Sequence, residues 1–346
     1  MCLGLIIFGL GLLLWFEADK SKEFVYDYTD CLTKNGTKAE FLAQVNAKPT
    51  CSIDLTITED FKGDVKFYYQ LDGFYQNFRT YSTSRNDLQL LGDLFETDQC
   101  EPYDCVAAEG YVLDVNTTCK LKEYNASRAI PIVPCGTIAN SMFNDSFELT
   151  YHQPDGTSIP VPFTVDGIMA HVERIKKFRN PHDYPDDNPI RQKYPGAMCD
   201  QFRKTTKPPN WQSSICELGV FNASEDDLDI GWALNNIDFQ VWMKTAALPN
   251  FRKPYRSLDK NHDPFNDGDN KAVLPKGSYT LLINYNYNVI HYKIKKSFVI
   301  ANPSWIGPRN FFLPTLYMIT GCFILVAMSV LFIVAKVKAR FSKETT

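Results

Sequence analysis

The residues of this 346-residue chain best able to form covalent bonds are its cysteines, of which there are ten. Cys2 and Cys322 fall inside apolar runs and read as packed or lipid-facing thiols. The other eight lie between those runs: Cys31, Cys51, Cys100, Cys105, Cys119, Cys135, Cys199 and Cys216. An even set in one segment predicts four disulfides formed in an oxidising compartment, with connectivity left open by sequence. Closing the shortest loops favours sequential pairing: Cys31–Cys51, Cys100–Cys105, Cys119–Cys135 and Cys199–Cys216. A zinc site is the alternative chemistry, but no pair shows the two-residue spacing of a zinc ribbon and no histidine falls close by. No metal site is expected.

The second modification chemistry is glycosylation. Asn35, Asn116, Asn125, Asn144 and Asn222 each open an Asn-X-Ser/Thr sequon, whereas Asn302 precedes a proline and does not qualify. All five sequons lie on the cysteine-rich side of the apolar runs.

Catalytic constellations are harder to find. The five histidines (His152, His171, His182, His262 and His291) form no HExxH motif, and no nucleophile elbow, Walker loop or GxGxxG turn occurs. His171 and Glu173 are two apart, on opposite sides of any helix, and read as a surface pair. Asp259, Asn261 and Asp263 alternate as in a calcium loop. Its sixth and twelfth places, however, hold Pro264 and Asn270 instead of glycine and a bidentate acid. The segment reads as a solvated acidic loop, and no cofactor is expected.

The elements that would hold these residues begin with the two apolar runs. Leu313–Ala335 carries no charge, and its length as a helix, about 34 Å, exceeds a hydrocarbon core of about 30 Å. Lys336, Lys338, Arg340 and Lys343 follow, which places the C-terminus in the cytosol. Leu3–Phe16 is shorter. A cleaved signal peptide is the rival reading, but no basic region precedes the run and WFEADKSKE offers a poor small-x-small cleavage site. It reads as a first span whose cytosolic beginning is missing. The expected organisation is residues 1–16 as first transmembrane helix, 17–307 as lumenal or extracellular ectodomain, 313–335 as second helix and 336–346 as basic cytosolic tail. The runs hold no ionisable group besides thiols, and two helices cannot enclose a channel, so transport would need a partner.

Between the spans the chain is 14% aromatic, with alternating stretches typical of strands. Cys51–Phe61 and Asp64–Leu71 predict a hairpin about a Lys-Gly-Asp turn. Ser146–His152 and Gly277–Val289 predict strands, and Asn77–Asp93 a loop or short strand. Asn235–Leu248 shows helical spacing ended by Pro249, and Lys176–Met198 is rich in proline and charge, as an irregular excursion would be. The expected fold is mainly β with helical insertions (α+β): an antiparallel β-sandwich-like ectodomain tethered by two transmembrane helices. A net charge of −4 and an isoelectric point near 5.8 argue against nucleic-acid binding.

Several strings carry a resemblance. PCGTIANSMFNDSF (Pro134–Phe147) resembles the hallmark segment of the accessory (β) subunits of type-IV P-type ATPases, the phospholipid flippases. DGFYQNFRTYSTSRNDLQLLGD (Asp72–Asp93), TTKPPNW (Thr205–Trp211), DFQVWMKTAALPNFRKPYR (Asp238–Arg256) and LPKGSYTLLINYNYNV (Leu274–Val289) are similar to further segments of that family, in its order. The resemblance runs from the first span to the second.

It implies two spans with cytosolic ends and a glycosylated, disulfide-bonded ectodomain. It also implies hetero-dimeric pairing with an ATPase catalytic subunit, support of that subunit's folding, exit from the endoplasmic reticulum and transport cycle, and contact with membrane lipids. The localisation implied is an integral membrane protein of the secretory pathway: endoplasmic reticulum, Golgi, endosome or plasma membrane. The partner hydrolyses ATP; this chain is not an enzyme. By matching positions, Cys31–Cys51 and Cys119–Cys135 carry over as disulfides, and Asn144 as a glycan site. Two departures stand out: the family's cytosolic segment before the first span is missing here, and GPRNFFL (Gly307–Leu313) replaces its Gly-Gly-x-Asn-Pro-Phe-Leu. Phe74, Tyr75, Arg79, Phe251, Arg252 and Tyr255 are of the residue types that anchor interfaces and are expected at the partner contact, with Gly321 allowing close approach of the partner's helices. The rivals are a stand-alone receptor or adhesion ectodomain and a lumenal enzyme.

Overall fold

The computed structural model describes residues 2–31, 49–107, 129–181, 199, 202–219, 230–269, 271–289, 292–305, 307 and 309–344. Its strands are β1 Lys22–Asp27, β2 Thr50–Ile57, β3 Phe61–Lys62, β4 Lys66–Asp72, β5 Cys105–Ala107, β6 Ala129–Pro131, β7 Ser146–His152, β8 Ser158–Pro160, β9 Phe163–Thr164, β10 Asn250–Leu258, β11 Val273–Leu274, β12 Gly277–Asn284 and β13 Lys295–Asn302. They build a five-stranded sheet ordered β1–β13–β4–β10–β9 and a four-stranded sheet ordered β2–β12–β7–β8. Every ladder between named strands is antiparallel.

Alternation explains which faces meet. In β4, Phe67, Tyr69 and Leu71 are buried; in β12, Tyr279, Leu281 and Ile283 are. One core takes both sets. Phe147 of β7 reaches across it, its ring centroid 5.0 Å from Phe298 of β13 and 5.2 Å from Tyr255 of β10. β13 departs from alternation because its residues from Lys296 to Ala301 are all buried.

The expected hairpin is not formed. β2 joins β12, whereas β4 lies between β13 and β10, in the other sheet. Each strand lays one face on the same core from opposite sides, so alternation is identical whichever partner is chosen. The turn at Gly63 (φ +102°) carries the chain between sheets. Ser146–His152 is β7 as read. β12 stops at Asn284, short of Val289, because the next residues turn to donate their N–H groups to Asp145. Asn77–Asp93 holds two single-turn helices, Arg79–Ser82 and Asp87–Leu90, the second capped by the Asn86 side chain accepting from Gln89 N. The helix read over 235–248 is confined to Ile237–Met243. The excursion at 176–198 falls largely outside the described residues.

The family-like segments converge on one hub. Gly136 sits at φ +94°, where a Cβ would strike the Ser84 carbonyl, so no other residue fits. Ile138 and Ala139 are fully buried, and their carbonyls accept from Trp242 Nε1 and Trp211 Nε1, both at 2.7 Å. Gln89 Oε1 accepts from Cys135 N at 2.7 Å, and Ser84 Oγ from Thr137 N at 2.9 Å.

A buried ion pair joins the two sheets. Lys296 of β13 and Asp145, immediately before β7, are both fully buried, with Nζ 2.6 Å from Oδ2. Oδ2 also accepts from the Tyr28 hydroxyl at 2.9 Å, and Oδ1 from the backbone N–H groups of Asn286 and Tyr287 at 2.7 and 2.6 Å. Lys296 Nζ donates in addition to the Tyr287 carbonyl and lies over the Tyr285 ring. Burial lowers the Lys296 pKa to about 8, with Asp145 opposing the shift. Lys296→Met leaves the carboxylate buried without its cation and is expected to lower stability by about 3–5 kcal/mol. Urea unfolding of the intact protein checks this; a loss below about 1 kcal/mol would show that the pair is not structural.

Candidate partner-docking surface

The anchor is a helix pair. Cys2–Lys20 and, within the helix Phe312–Glu344, the stretch Phe312–Lys338 are each long and apolar enough to cross a membrane, the first about 28 Å long. They lie against each other through glycine. A Cβ on Gly321 would come 2.7 Å from Phe8 N; one on Gly4 would come 2.9 Å from Leu325 Cγ; one on Gly11 would come 2.8 Å from Met318 N. Gly321 was expected to face partner helices. It faces this chain's own first helix instead, because a backbone without Cβ is what lets the two spans touch. At the membrane-entry segment Phe311 packs on Trp15, with ring centroids 4.7 Å apart, and Asn310 Oδ1 accepts from Phe312 N at 2.8 Å. Trp305, 81% exposed, donates to Glu17 from the junction of helix and ectodomain, the depth at which interfacial tryptophans gather. Many large apolar side chains of both helices face outward, among them Leu5, Leu13, Phe16, Phe323 and Leu331.

The six aromatic and arginine residues read as partner contacts divide in two. Tyr255 is buried, and its hydroxyl accepts from Phe147 N at 3.3 Å; Phe251 and Phe74 pack on the core, 6.2 Å apart. Tyr255 is corrected to a core residue, whereas Phe251 of β10 and Phe74 in the turn after β4 are partly buried and pack against that core. Arg252 is engaged by Glu23 and Gln70, both at 2.6 Å. Tyr75 and Arg79 remain exposed, with Phe78 stacked on Tyr75 at 5.2 Å. They follow β4, whose Lys66 end pairs with Ala301 near the helices and whose Asp72 end pairs with Lys295. Six steps of about 3.3 Å put this patch about 20 Å further from the anchor.

Disulfide pairing needs one correction. Cys31–Cys51 and Cys199–Cys216 are bridged, but Cys100 bonds Cys135, not Cys105. Both Cys100–Cys105 and Cys119–Cys135 are therefore wrong. Locality misled: Gln89 and Ser84 hold the 84–100 segment on the hub, so Cys100 meets Cys135 across a separation of 35. Cys105 is also disulfide-bonded, and Cys119 lies outside the described residues, as do Asn35, Asn116, Asn125 and Asn222. Asn144 is exposed.

Chemistry beyond these bonds is sparse. Among the described residues no three His, Cys, Asp or Glu side chains gather as metal ligands. His152 is held between Ser158 Oγ at 2.9 Å and Thr280 Oγ1 at 2.7 Å. Glu173 holds Lys177 and Lys244, and these partners lower its pKa. Sequence reading missed Lys253, which is buried and closes the helix Ile237–Met243 by donating to the carbonyls of Val241, Trp242 and Lys244. Burial, aided by the Lys244 charge, pushes its pKa down to about 7. Arg256 is paired bidentately with Asp238 at 2.6 and 2.9 Å. Nothing in sequence marked either cation as interior, because β10 does not alternate: its residues from Tyr255 to Leu258 are all buried.

A paired-helix anchor bearing a disulfide-braced, antiparallel β ectodomain defines a membrane protein of the secretory pathway. The profile described as CDC50, "LEM3 (ligand-effect modulator 3) family / CDC50 family", matches residues 14–341. Cell cycle control protein 50B of Homo sapiens is 36% identical over 329 residues, covering 92% of this chain and 81% of the relative. Cell cycle control protein 50A of Mus musculus is 34% identical over 360 residues (99% and 83%), and putative ALA-interacting subunit 4 of Arabidopsis thaliana 30% over 338 (95% and 81%). The chain belongs to the CDC50 family, that of the β-subunits of type-IV P-type ATPase flippases.

Lys253 yields a pH test. With a folded-state pKa of about 7 against 10.5 when unfolded, the unfolded chain binds the extra proton across that window, so this group makes stability rise from pH 7 to 10.5. Lys253→Met should flatten that rise in urea midpoints measured against pH. Parallel profiles for variant and wild type would mean that Lys253 keeps its proton throughout.

Proposed function

We propose that this chain is the non-catalytic β-subunit of a phospholipid flippase, pairing one-to-one with a type-IV P-type ATPase that hydrolyses ATP and moves lipid to the cytosolic leaflet. In this reading the chain supports folding and endoplasmic-reticulum exit of the catalytic subunit and covers its lumenal loops during transport. The observation that carries it is the extent of the family match, residues 14–341, which takes in the ectodomain and the membrane-spanning region together. The outward apolar faces of the helix pair would pack on the partner's spans, and the Tyr75–Phe78–Arg79 patch would meet its lumenal loops. Asn144 would carry a glycan, and the ectodomain would lie on the lumenal or extracellular side.

Affinity purification of the intact chain from native membranes in mild detergent tests this. The expected result is a stoichiometric P-type ATPase identified by mass spectrometry; recovery of the chain alone, or with only other proteins, would contradict the assignment.

A further inference from the structure

We infer that the groove beside Asn144 is a cradle for an uncharged sugar, and that its occupant is the inner part of the glycan borne by Asn144 itself. The inference rests on the reading of Asn144 as a glycan site. Two adjoining cavities, of about 470 and 450 Å³, meet at this residue, and Asn210, Gln212 and Asn286 also line both. The lining is unusual in charge. In a chain that is 22% Asp, Glu, Lys and Arg, only Glu217 among the lining residues is ionic at neutral pH, and the second cavity has no ionic residue. That excludes selection for phosphate, carboxylate or cation. What remains is a run of side-chain amides and hydroxyls, which donate and accept equally, set beside aromatic rings. These are the groups that suit a polyol bearing an N-acetyl arm.

The groove is also held in shape before any sugar arrives. Trp211 is anchored through Nε1 to the Ala139 carbonyl, and Asn210 N donates to Asn140 Oδ1 at 3.0 Å. Cys199–Cys216 ties down the segment that follows. Across the groove, Asn286 Nδ2 donates to the Asn144 carbonyl at 3.0 Å, and Asn284 Nδ2 to the sequon's Ser146 Oγ at 2.8 Å. The backbone that bears the glycan is therefore fixed to one wall. The side-chain amides of Asn144, Asn210 and Gln212 are exposed and make no hydrogen bond to any described residue, while Tyr292, 67% exposed, flanks the second cavity.

The test uses the full-length glycoprotein in detergent. Glycopeptide mass spectrometry first reports occupancy of Asn144; an unmodified Asn144 would overturn the glycan reading on which the cradle rests. Native digestion with peptide N-glycosidase, followed site by site, then addresses the cradle. An occupied Asn144 should be released about tenfold more slowly than the other occupied sequons, the ratio that about 1.4 kcal/mol of contact confers. The double variant Asn210→Ala, Gln212→Ala should bring its release towards theirs without moving the thermal midpoint. Release as fast as at the other sites, or protection unchanged in the variant, would overturn the cradle while leaving Asn144 a glycan site.

Discussion

Lys296 and Asp145 are the constraint on which the ectodomain depends. Burying two charges is unfavourable unless every remaining lone pair and proton is engaged. Here the carboxylate takes an ammonium, a phenol and two backbone N–H groups, which are contributed by β13, the end of β1 and the turn after β12. No hydrophobic contact could demand that those three pieces arrive in one register. The pair thus welds the two sheets. It also lies on the strands that continue into the membrane: β1 pairs with β13 from Asp27↔Ser297 down to Lys22↔Asn302, and the helices begin just beyond. The buried ion pair lies at one end of this antiparallel ladder, and the glycine-mediated contact of the spans lies beyond the other.

The family-like segments are, in this light, architectural. Gly136, Cys135, Trp211, Gln89 and Trp242 each answer a backbone need at the hub: a left-handed φ, a crosslink, or a buried carbonyl or N–H requiring a partner. Residues held this way specify a shape, which is what a subunit acting through contact must offer. Lys253 serves the same end by replacing the missing last turn of its helix.

Much of this was legible beforehand. Uncharged runs must be helices in hydrocarbon, and Ser146–His152 alternates so cleanly that its strand could be read residue for residue. The partners of strands were not legible, since Cys51–Phe61 and Asp64–Leu71 alternate alike whether they share a sheet or face each other across a core. Disulfide pairing failed for a similar reason: Cys105 is nearer in sequence to Cys100, but the Gln89 and Ser84 contacts that bring Cys135 close are tertiary. Aromatic type announced an interface at Phe74, Phe251 and Tyr255, yet the same residue types pack on and fill cores, and only tertiary packing separates the two.

The most direct measurement is native-state hydrogen exchange on the intact protein, following the amides of Asn286 and Tyr287 with those of β12 and β13. If the ion pair makes one cooperative body of both sheets, these amides exchange only through global unfolding, with the same protection and the same denaturant dependence. Protection at β12 that is lost separately from β13, or rapid exchange at Asn286 and Tyr287 while both sheets stay protected, would contradict the account.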